Sequence, residues 1–151
     1  MRRRAPLTLV LCSVAAAIAG CGDDTDDVSA EELVSRGDEI CREGRDRFAE
    51  IQDAAPQSAD EAHEQTEELV DAAAEELDEL ERLRPPEEMR DAYERYLAAR
   101  SEALDLLERG RDAAADGDAG AYGDAQTELE AGRRERARLA RAVGFRVCSG
   151  A

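Results

Sequence analysis

The sequence predicts an all-α protein, an antiparallel up-down-up-down four-helix bundle with a C-terminal tail bridged to helix one. Three observations support this fold class. Apolar residues recur at helical spacing in four consecutive segments, proline or glycine separates these segments, and no segment alternates apolar with polar residues as a strand does. Four helices of similar length with short connections favour an antiparallel bundle.

The first two helices begin at capping sequences. Ser29-Ala-Glu-Glu32 and Ser58-Ala-Asp-Glu61 both place a hydroxyl three residues before a glutamate, as in a capping box. Pro56 ends the first helix. The apolar stripe of the first helix is Leu33, Gly37, Ile40, Gly44, Phe48 and Ile51. The stripe of the second is Ala62, Thr66, Leu69, Val70, Ala73, Leu77 and Leu80. Glycine lowers helix propensity, so we expect Gly37 and Gly44 to mark close approaches between helices.

The third and fourth helices follow Pro85-Pro86 and Asp116-Gly-Asp-Ala-Gly120 respectively. We expect helix three over about 86–115 and helix four over about 121–143, with Gly144 ending the latter in the left-handed conformation. The inward residues of helix three are Met89, Tyr93, Tyr96, Leu97, Leu104 and Leu107. Those of helix four are Tyr122, Ala125, Leu129, Leu139, Ala140 and Val143.

The N-terminus has the layout of a bacterial lipoprotein signal. Three arginines after Met1 precede a mostly apolar stretch over 5–20, and Cys21 follows small residues. The apolar stretch is shorter than the roughly 20 residues that a membrane-spanning helix needs. We therefore predict a signal peptide at 1–20, a lipidated acidic tether at 21–28 beginning with a lipid on Cys21, and a four-helix bundle at 29–151. This predicts a location at the extracytoplasmic face of the cell membrane, with the lipid anchor as the membrane partner.

The charge balance argues against nucleic acid as a partner. The chain has 37 acidic and 20 basic residues and a formal net charge of −17. The leader holds three of the arginines and no acid, so its removal makes the protein more negative still. Phosphate backbones require clustered positive charge. All of the basic residues are arginine, which we attribute to GC-rich codon usage and not to a function.

The cysteines predict one disulfide. Cys12 leaves with the leader and Cys21 carries the lipid, so Cys41 and Cys148 remain. An even pair in an exported protein favours a bridge. Two cysteines and one histidine are too few for a structural zinc site, and the aspartates of the tether lack the spacing of a calcium loop, so we predict no metal and no cofactor.

Several short motifs resemble a group of small exported, often lipid-anchored proteins of high-GC bacteria. They are the tether after the lipobox, Ile40-Cys41-Arg42, Leu83-Arg84-Pro85-Pro86, Tyr93-Glu-Arg-Tyr96-Leu97 and Gly144-Phe-Arg-Val-Cys148. The resemblance extends over essentially all of the chain after the leader. It implies helices and a bridge, and no activity.

Two arginines lie within the apolar stripes. Arg100 falls between Tyr93, Leu97 and Leu104 of helix three, and Arg136 occupies a similar place in helix four. A guanidinium at such a position is either paired, for instance with Glu76 of helix two, or forms part of an anion site. The anion site would comprise Arg100, Arg136, Tyr93 and Tyr96. We favour the pairing, and expect the single histidine, His63, to be solvated.

We therefore predict a non-enzymatic envelope protein that acts as a structural or interaction module, with an envelope protein as a possible partner. The alternative is a lipoprotein that binds a small ligand or ion, with an anion at the inward arginines. No catalytic residues are predicted, because no acid pair or nucleophile with a base is evident in the sequence.

Overall fold

The computed structural model of the protein describes residues 28–150, and these residues form four α-helices. They are α1 (Ala30–Ile51), α2 (Ala59–Arg82), α3 (Arg90–Ala115) and α4 (Ala119–Val143). Between residues 28 and 150 there is no strand, so the predicted all-α class is confirmed. The predicted leader, the predicted lipidation residue Cys21 and residues 22–27 of the predicted tether lie outside the described residues.

The ends of the helices follow the local sequence. The hydroxyls of Ser29 and Ser58 accept hydrogen bonds from the amides of Glu32 and Glu61, at 3.2 and 3.1 Å, which confirms both predicted N-caps. Asp118 caps α4 in the same way, and the helix begins at Ala119, two residues before the predicted start.

The third helix begins later than expected. Helix α3 starts at Arg90, because the chain after Pro86 first makes a 3₁₀ turn over Glu87–Met89. Pro86 itself has extended backbone, with ψ of 155°, and so lies outside the helix.

Consecutive helices pack together, α1 on α2, α2 on α3 and α3 on α4. Their apolar side chains form two clusters that lie one after the other along the helices. The first cluster is Leu33, Leu80, Leu83, Tyr93, Tyr96, Leu139, Ala140, Val143 and Phe145. The second is Leu69, Val70, Ala73 and Leu107, with Phe48, Ile51, Leu104 and Leu129 against them. Every residue that the apolar stripes predicted to face inward is buried or partly buried.

The C-terminal tail, residues 144–150, turns back against α1. Gly144 ends α4 with φ of 103°, the predicted left-handed conformation. Phe145 is then 1% exposed and packs edge-on against Tyr93 and Tyr96, with ring centroids 6.1 and 5.4 Å apart. Its ring occupies the space that a Cβ would need at Gly37. The close approach predicted at Gly37 is thus real, but its partner is the tail and not a helix.

Two further contacts hold the tail in place. The predicted disulfide between Cys41 and Cys148 is present, with 5.2 Å between the Cα atoms. Asp38 of α1 accepts hydrogen bonds from the backbone amides of Arg146 at 3.0 Å and Val147 at 2.8 Å. The tail therefore forms a fixed wall beside the middle of α1.

None of the helices within residues 28–150 combines the length and the apolar character that crossing a membrane requires.

Candidate functional site

A cleft of about 830 Å³ lies between α1 and α4. Cys41, Arg45 and Phe48 line it from α1. The lining residues from α4 are Arg133, Arg134, Arg136, Ala137 and Arg141. The tail closes one side through residues 147–150, and two residues from the other helices, Glu76 and Arg100, also contribute. The extensive helix contacts in the described part of the chain join only consecutive helices, so the side between the first and last helix stays open.

The side chains that line the cleft carry a net positive charge, whereas the protein as a whole is negative. Six arginines contribute to it, and the only acidic residue among its lining residues within 28–150 is Glu76. The arginines are Arg45, Arg100, Arg133, Arg134, Arg136 and Arg141. Six cations against one carboxylate leave an excess of five positive charges, in a chain whose formal net charge is −17. A guanidinium presents its N–H donors in a planar fork that matches phosphate and carboxylate groups.

An ion pair lies deep in the cleft. Arg100 Nη2 is 2.7 Å from Glu76 Oε2, and the two side chains are 21% and 7% exposed. This is the pairing that the sequence favoured for Arg100. A Cβ at Gly44 would lie 2.6 Å from Glu76 Oε2, so the predicted close approach at Gly44 accommodates this carboxylate. Burial raises the pKa of Glu76, and the neighbouring Arg100 opposes that rise only in part.

The other inward arginine has a different environment. Arg136 is half-buried, and its Nη2 donates to the carbonyl of Leu129 on the same helix at 2.8 Å. The guanidinium folds back over Gly132, where a Cβ would lie 2.6 Å from its Nη1. Burial lowers the pKa of Arg136, and the positive charge of Arg100 adds to this effect. Because this hydrogen-bond acceptor is a neutral carbonyl, it compensates the positive charge of Arg136 only in part.

The remaining arginines form the rim of the cleft. Arg133 pairs with Glu130 at 3.2 Å, and Arg45 lies 4.0 Å from Asp46. Arg134 and Arg141 are exposed, and neither forms an ion pair with a carboxylate among residues 28–150. The rim therefore holds positive charge that the described part of the protein does not neutralise.

The two tyrosines proposed for the anion site lie elsewhere. Tyr93 and Tyr96 are each 1% exposed, and among the described residues neither lines the cleft. The Tyr93 hydroxyl donates to the carbonyl of Leu80 at 2.6 Å, and the Tyr96 hydroxyl donates to the Cys41 sulfur at 3.5 Å. Burial raises the pKa of Tyr96 to about 12. Both rings belong to the first apolar cluster, whereas Arg100 and Arg136 both line the cleft.

His63 is not solvated as the sequence suggested. It is half-buried, and its Nδ1 donates to the carbonyl of Arg111 in α3 at 3.2 Å. Within residues 28–150 no group of three or more His, Cys, Asp or Glu side chains could hold a metal ion.

Sequence reasoning missed most of the cleft. Arg133 and Arg141 lie eight residues apart with Ala137 between them, which places all three on one face of α4 by the four-residue repeat. This spacing was the available signal. What it could not show is that α1 stands apart from this face and that the tail adds a wall, because both depend on packing between distant parts of the chain.

Comparison of the chain with models of protein families, with curated proteins and with solved structures finds no match.

Proposed function

We propose that this protein is a non-enzymatic, lipid-anchored protein of the extracytoplasmic membrane face that binds an anionic ligand in the arginine cleft. One observation carries the proposal, namely six arginines against one carboxylate around an open cleft in an acidic protein. The structural or interaction module that the sequence favoured gives no reason for this reversal of charge. We therefore place the ligand-binding hypothesis first.

The energetics of the cleft support a ligand. Burial is the main cause of the lowered pKa of Arg136, and repulsion from the nearby positive charge of Arg100 adds to it. An anion between the guanidinium groups would replace this repulsion with charge-assisted hydrogen bonds, which contribute about 1.5–3 kcal/mol each when shielded from water. The volume of about 830 Å³ falls within the range typical of small-molecule pockets.

A binding role also suits the chemistry of the lining groups. Arginine stays protonated at neutral pH, so it donates hydrogen bonds and positive charge but does not accept protons. The cysteines at the cleft, Cys41 and Cys148, are joined in a disulfide and so offer no thiolate nucleophile.

The up-down-up-down course of the helices belongs to this proposal, since it sets α4 beside α1. Contacts between helix ends support it. Gln65 near the start of α2 donates to the carbonyl of Ile51 at the end of α1, and His63 contacts Arg111 near the end of α3. At the end of α3, Arg109 pairs with Glu128 of α4 at 2.9 Å.

The lipid anchor rests on the sequence alone, through the apolar leader and Cys21. Mass spectrometry of the full chain expressed in a lipoprotein-processing bacterium tests it. We expect an N-terminal lipid-modified Cys21 in the membrane fraction, and no lipid on a Cys21→Ser variant. An unmodified chain in the membrane fraction or the medium would contradict the anchor.

Thermal unfolding with a panel of anions tests the ligand hypothesis. We expect millimolar phosphate, pyrophosphate or citrate to raise the unfolding temperature of the wild-type protein. The gain should be lost in the variant Arg136→Gln/Arg141→Gln, which removes two lining charges. The matched control Arg82→Gln/Arg109→Gln removes two exposed charges outside the cleft and should keep the gain. No stabilisation by any anion, or equal loss in both variants, would contradict the proposal.

A further inference from the structure

Four of the six arginines of the cleft are distributed along one helix. Arg133, Arg134, Arg136 and Arg141 all belong to α4. Eight residues separate the first from the last, which corresponds to about 12 Å at the rise of an α-helix. A single phosphate or carboxylate group is too small to reach guanidinium groups spread over this length. An elongated ligand with several anionic groups would reach them together.

Glu76 adds a selective element at the deep end. Its carboxylate already occupies Arg100, at 2.7 Å, and the side chain is only 7% exposed. The pair is close to neutral, so an anion that enters beside Arg136 gains little attraction from Arg100. An anion with a single phosphate at the deep end therefore has mainly the charge of Arg136 to bind. A ligand with further charges gains more attraction at the rim, where Arg134 and Arg141 make no ion pair within residues 28–150.

The walls of the cleft favour a phosphate chain over an acidic peptide. An extended peptide is held either by pairing its backbone with the edge of a sheet or by a cluster of arginines that binds its acidic side chains. In the second case only alternate residues would face α4. Residues 28–150 contain no strand, so no such edge is present in the described part of the protein. A helical peptide needs an apolar stripe on its receptor, whereas the α4 wall carries four arginines.

We propose that the cleft binds a linear ligand with two or more phosphate groups, and that Glu76 is the residue that disfavours anions with a single phosphate. This inference rests on the proposed anion-binding function and specifies its ligand class. One phosphate group lies at the deep end beside Arg136, and the others lie along the rim of α4. Binding involves no covalent step.

Isothermal titration calorimetry of the purified protein with orthophosphate, pyrophosphate and tripolyphosphate tests the inference. We expect affinity to rise about fivefold or more with each added phosphate at low salt, and this increment to shrink in 0.5 M NaCl, because exposed charge pairs are screened. In Glu76→Gln, orthophosphate should gain more affinity than tripolyphosphate, so the ratio of their affinities should fall about threefold or more.

The control is Glu75→Gln, which makes the same change in net charge on the same helix. Glu75 is exposed, bonds Arg47 and lies outside the arginine cleft. We expect it to leave the ratio of the affinities for tripolyphosphate and orthophosphate unchanged. An equal effect of both variants would overturn the role of Glu76, since it would show only the effect of net charge.

Three other results would overturn the ligand class. If orthophosphate binds as tightly as tripolyphosphate, the proposed function stands and the multivalent ligand is wrong. If a tetra-aspartate peptide binds more tightly than tripolyphosphate, the ligand class is an acidic peptide. If no anion binds, the ligand class fails together with the proposed function.

Discussion

At the residue scale, two glycines one heptad apart in α1 determine what packs on that helix. The absence of a side chain at Gly37 leaves room for the ring of Phe145, and at Gly44 it leaves room for the carboxylate of Glu76. The sequence indicated both approaches, because glycine in a helix is otherwise unfavourable. It did not indicate their partners, which come from the tail and from α2. The consequences differ, because an aromatic ring held in the core moves less readily than the end of a glutamate side chain.

Substituting Gly37 with alanine should destabilise the protein. The new Cβ would overlap the ring of Phe145, which is 1% exposed and held between Tyr93 and Tyr96. Overpacking typically lowers the free energy of unfolding by about 1–3 kcal/mol. Alanine raises it by up to about 1 kcal/mol, because its helix propensity is higher than that of glycine. Because the overlap is with a ring that is held in the core, we expect the upper part of the overpacking range, and therefore a net loss of about 1–2 kcal/mol in the free energy of unfolding, measured with urea.

Gly123→Ala is the matched control. Gly123 lies inside α4, and a Cβ added there would have open space around it, with no neighbouring side chain within 4 Å. The substitution should therefore leave stability unchanged or raise it by up to about 1 kcal/mol. A neutral or stabilising Gly37→Ala variant would contradict the packing of Phe145 on α1.

The raised pKa of Glu76 predicts a dependence of stability on pH. The folded state holds the proton of this carboxyl more strongly than the unfolded chain does, because burial penalises the charged form. Its contribution to stability is therefore present below the ordinary carboxyl pKa and is lost as pH rises through the raised value. In Glu76→Gln the side chain stays neutral at every pH.

We expect Glu76→Gln to be at least as stable as the wild type at pH 7, and the difference to shrink as pH falls toward 4. Urea unfolding of both proteins at several pH values measures this difference. A variant that is much less stable at pH 7 and recovers relative to the wild type in acid would show that Arg100 outweighs burial.

At the scale of elements, the tail over residues 144–150 joins the last helix to the first. Its turn follows from Gly144, its buried anchor is Phe145, and its amides bond to Asp38. The disulfide then links it to Cys41 across 107 residues of sequence. Because the tail also forms a wall of the cleft, its attachment couples the stability of the fold to the shape of the candidate site.

Removal of the disulfide in the variant Cys41→Ser/Cys148→Ser should lower the free energy of unfolding by about 2–5 kcal/mol, as for native bridges that close long loops. Urea unfolding measures this loss. Reductant should lower the stability of the wild type by a similar amount and leave the variant unchanged. A wild type that is insensitive to reductant after complete thiol release would contradict the role of the bridge.

Asp38→Asn tests the other attachment of the tail. The carboxylate accepts the amides of Arg146 and Val147, whereas an amide side chain offers one neutral oxygen. We expect a loss of about 1–2 kcal/mol in urea unfolding. The exposed carboxylate Asp71 provides the control, since Asp71→Asn should change stability by less than about 0.5 kcal/mol. Equal effects of the two substitutions would contradict the capping role of Asp38.

At the scale of the whole molecule, the acidic protein contains a basic cleft where its first and last helices stand apart. The sequence predicted the four helices, the N-caps of the first two, the buried stripes and the disulfide, because each depends on periodicity, local hydrogen bonding or residue count. It also indicated Glu76 as an example of a carboxylate that could pair with Arg100. It did not predict the cleft. Tyr93 and Tyr96 share the helical spacing of Arg100, but their rings pack against Phe145 in the core and do not reach the cleft.

The central claim is that an anion binds between α1 and α4, and chemical footprinting of arginine tests it most directly. The purified protein is treated with phenylglyoxal with and without tripolyphosphate, and modification of each arginine is measured by mass spectrometry. We expect the ligand to protect Arg134, Arg136 and Arg141 and to leave Arg82 and Arg109 as reactive as before. Equal reactivity of the cleft arginines with and without ligand, or equal protection of all five residues, would contradict the claim.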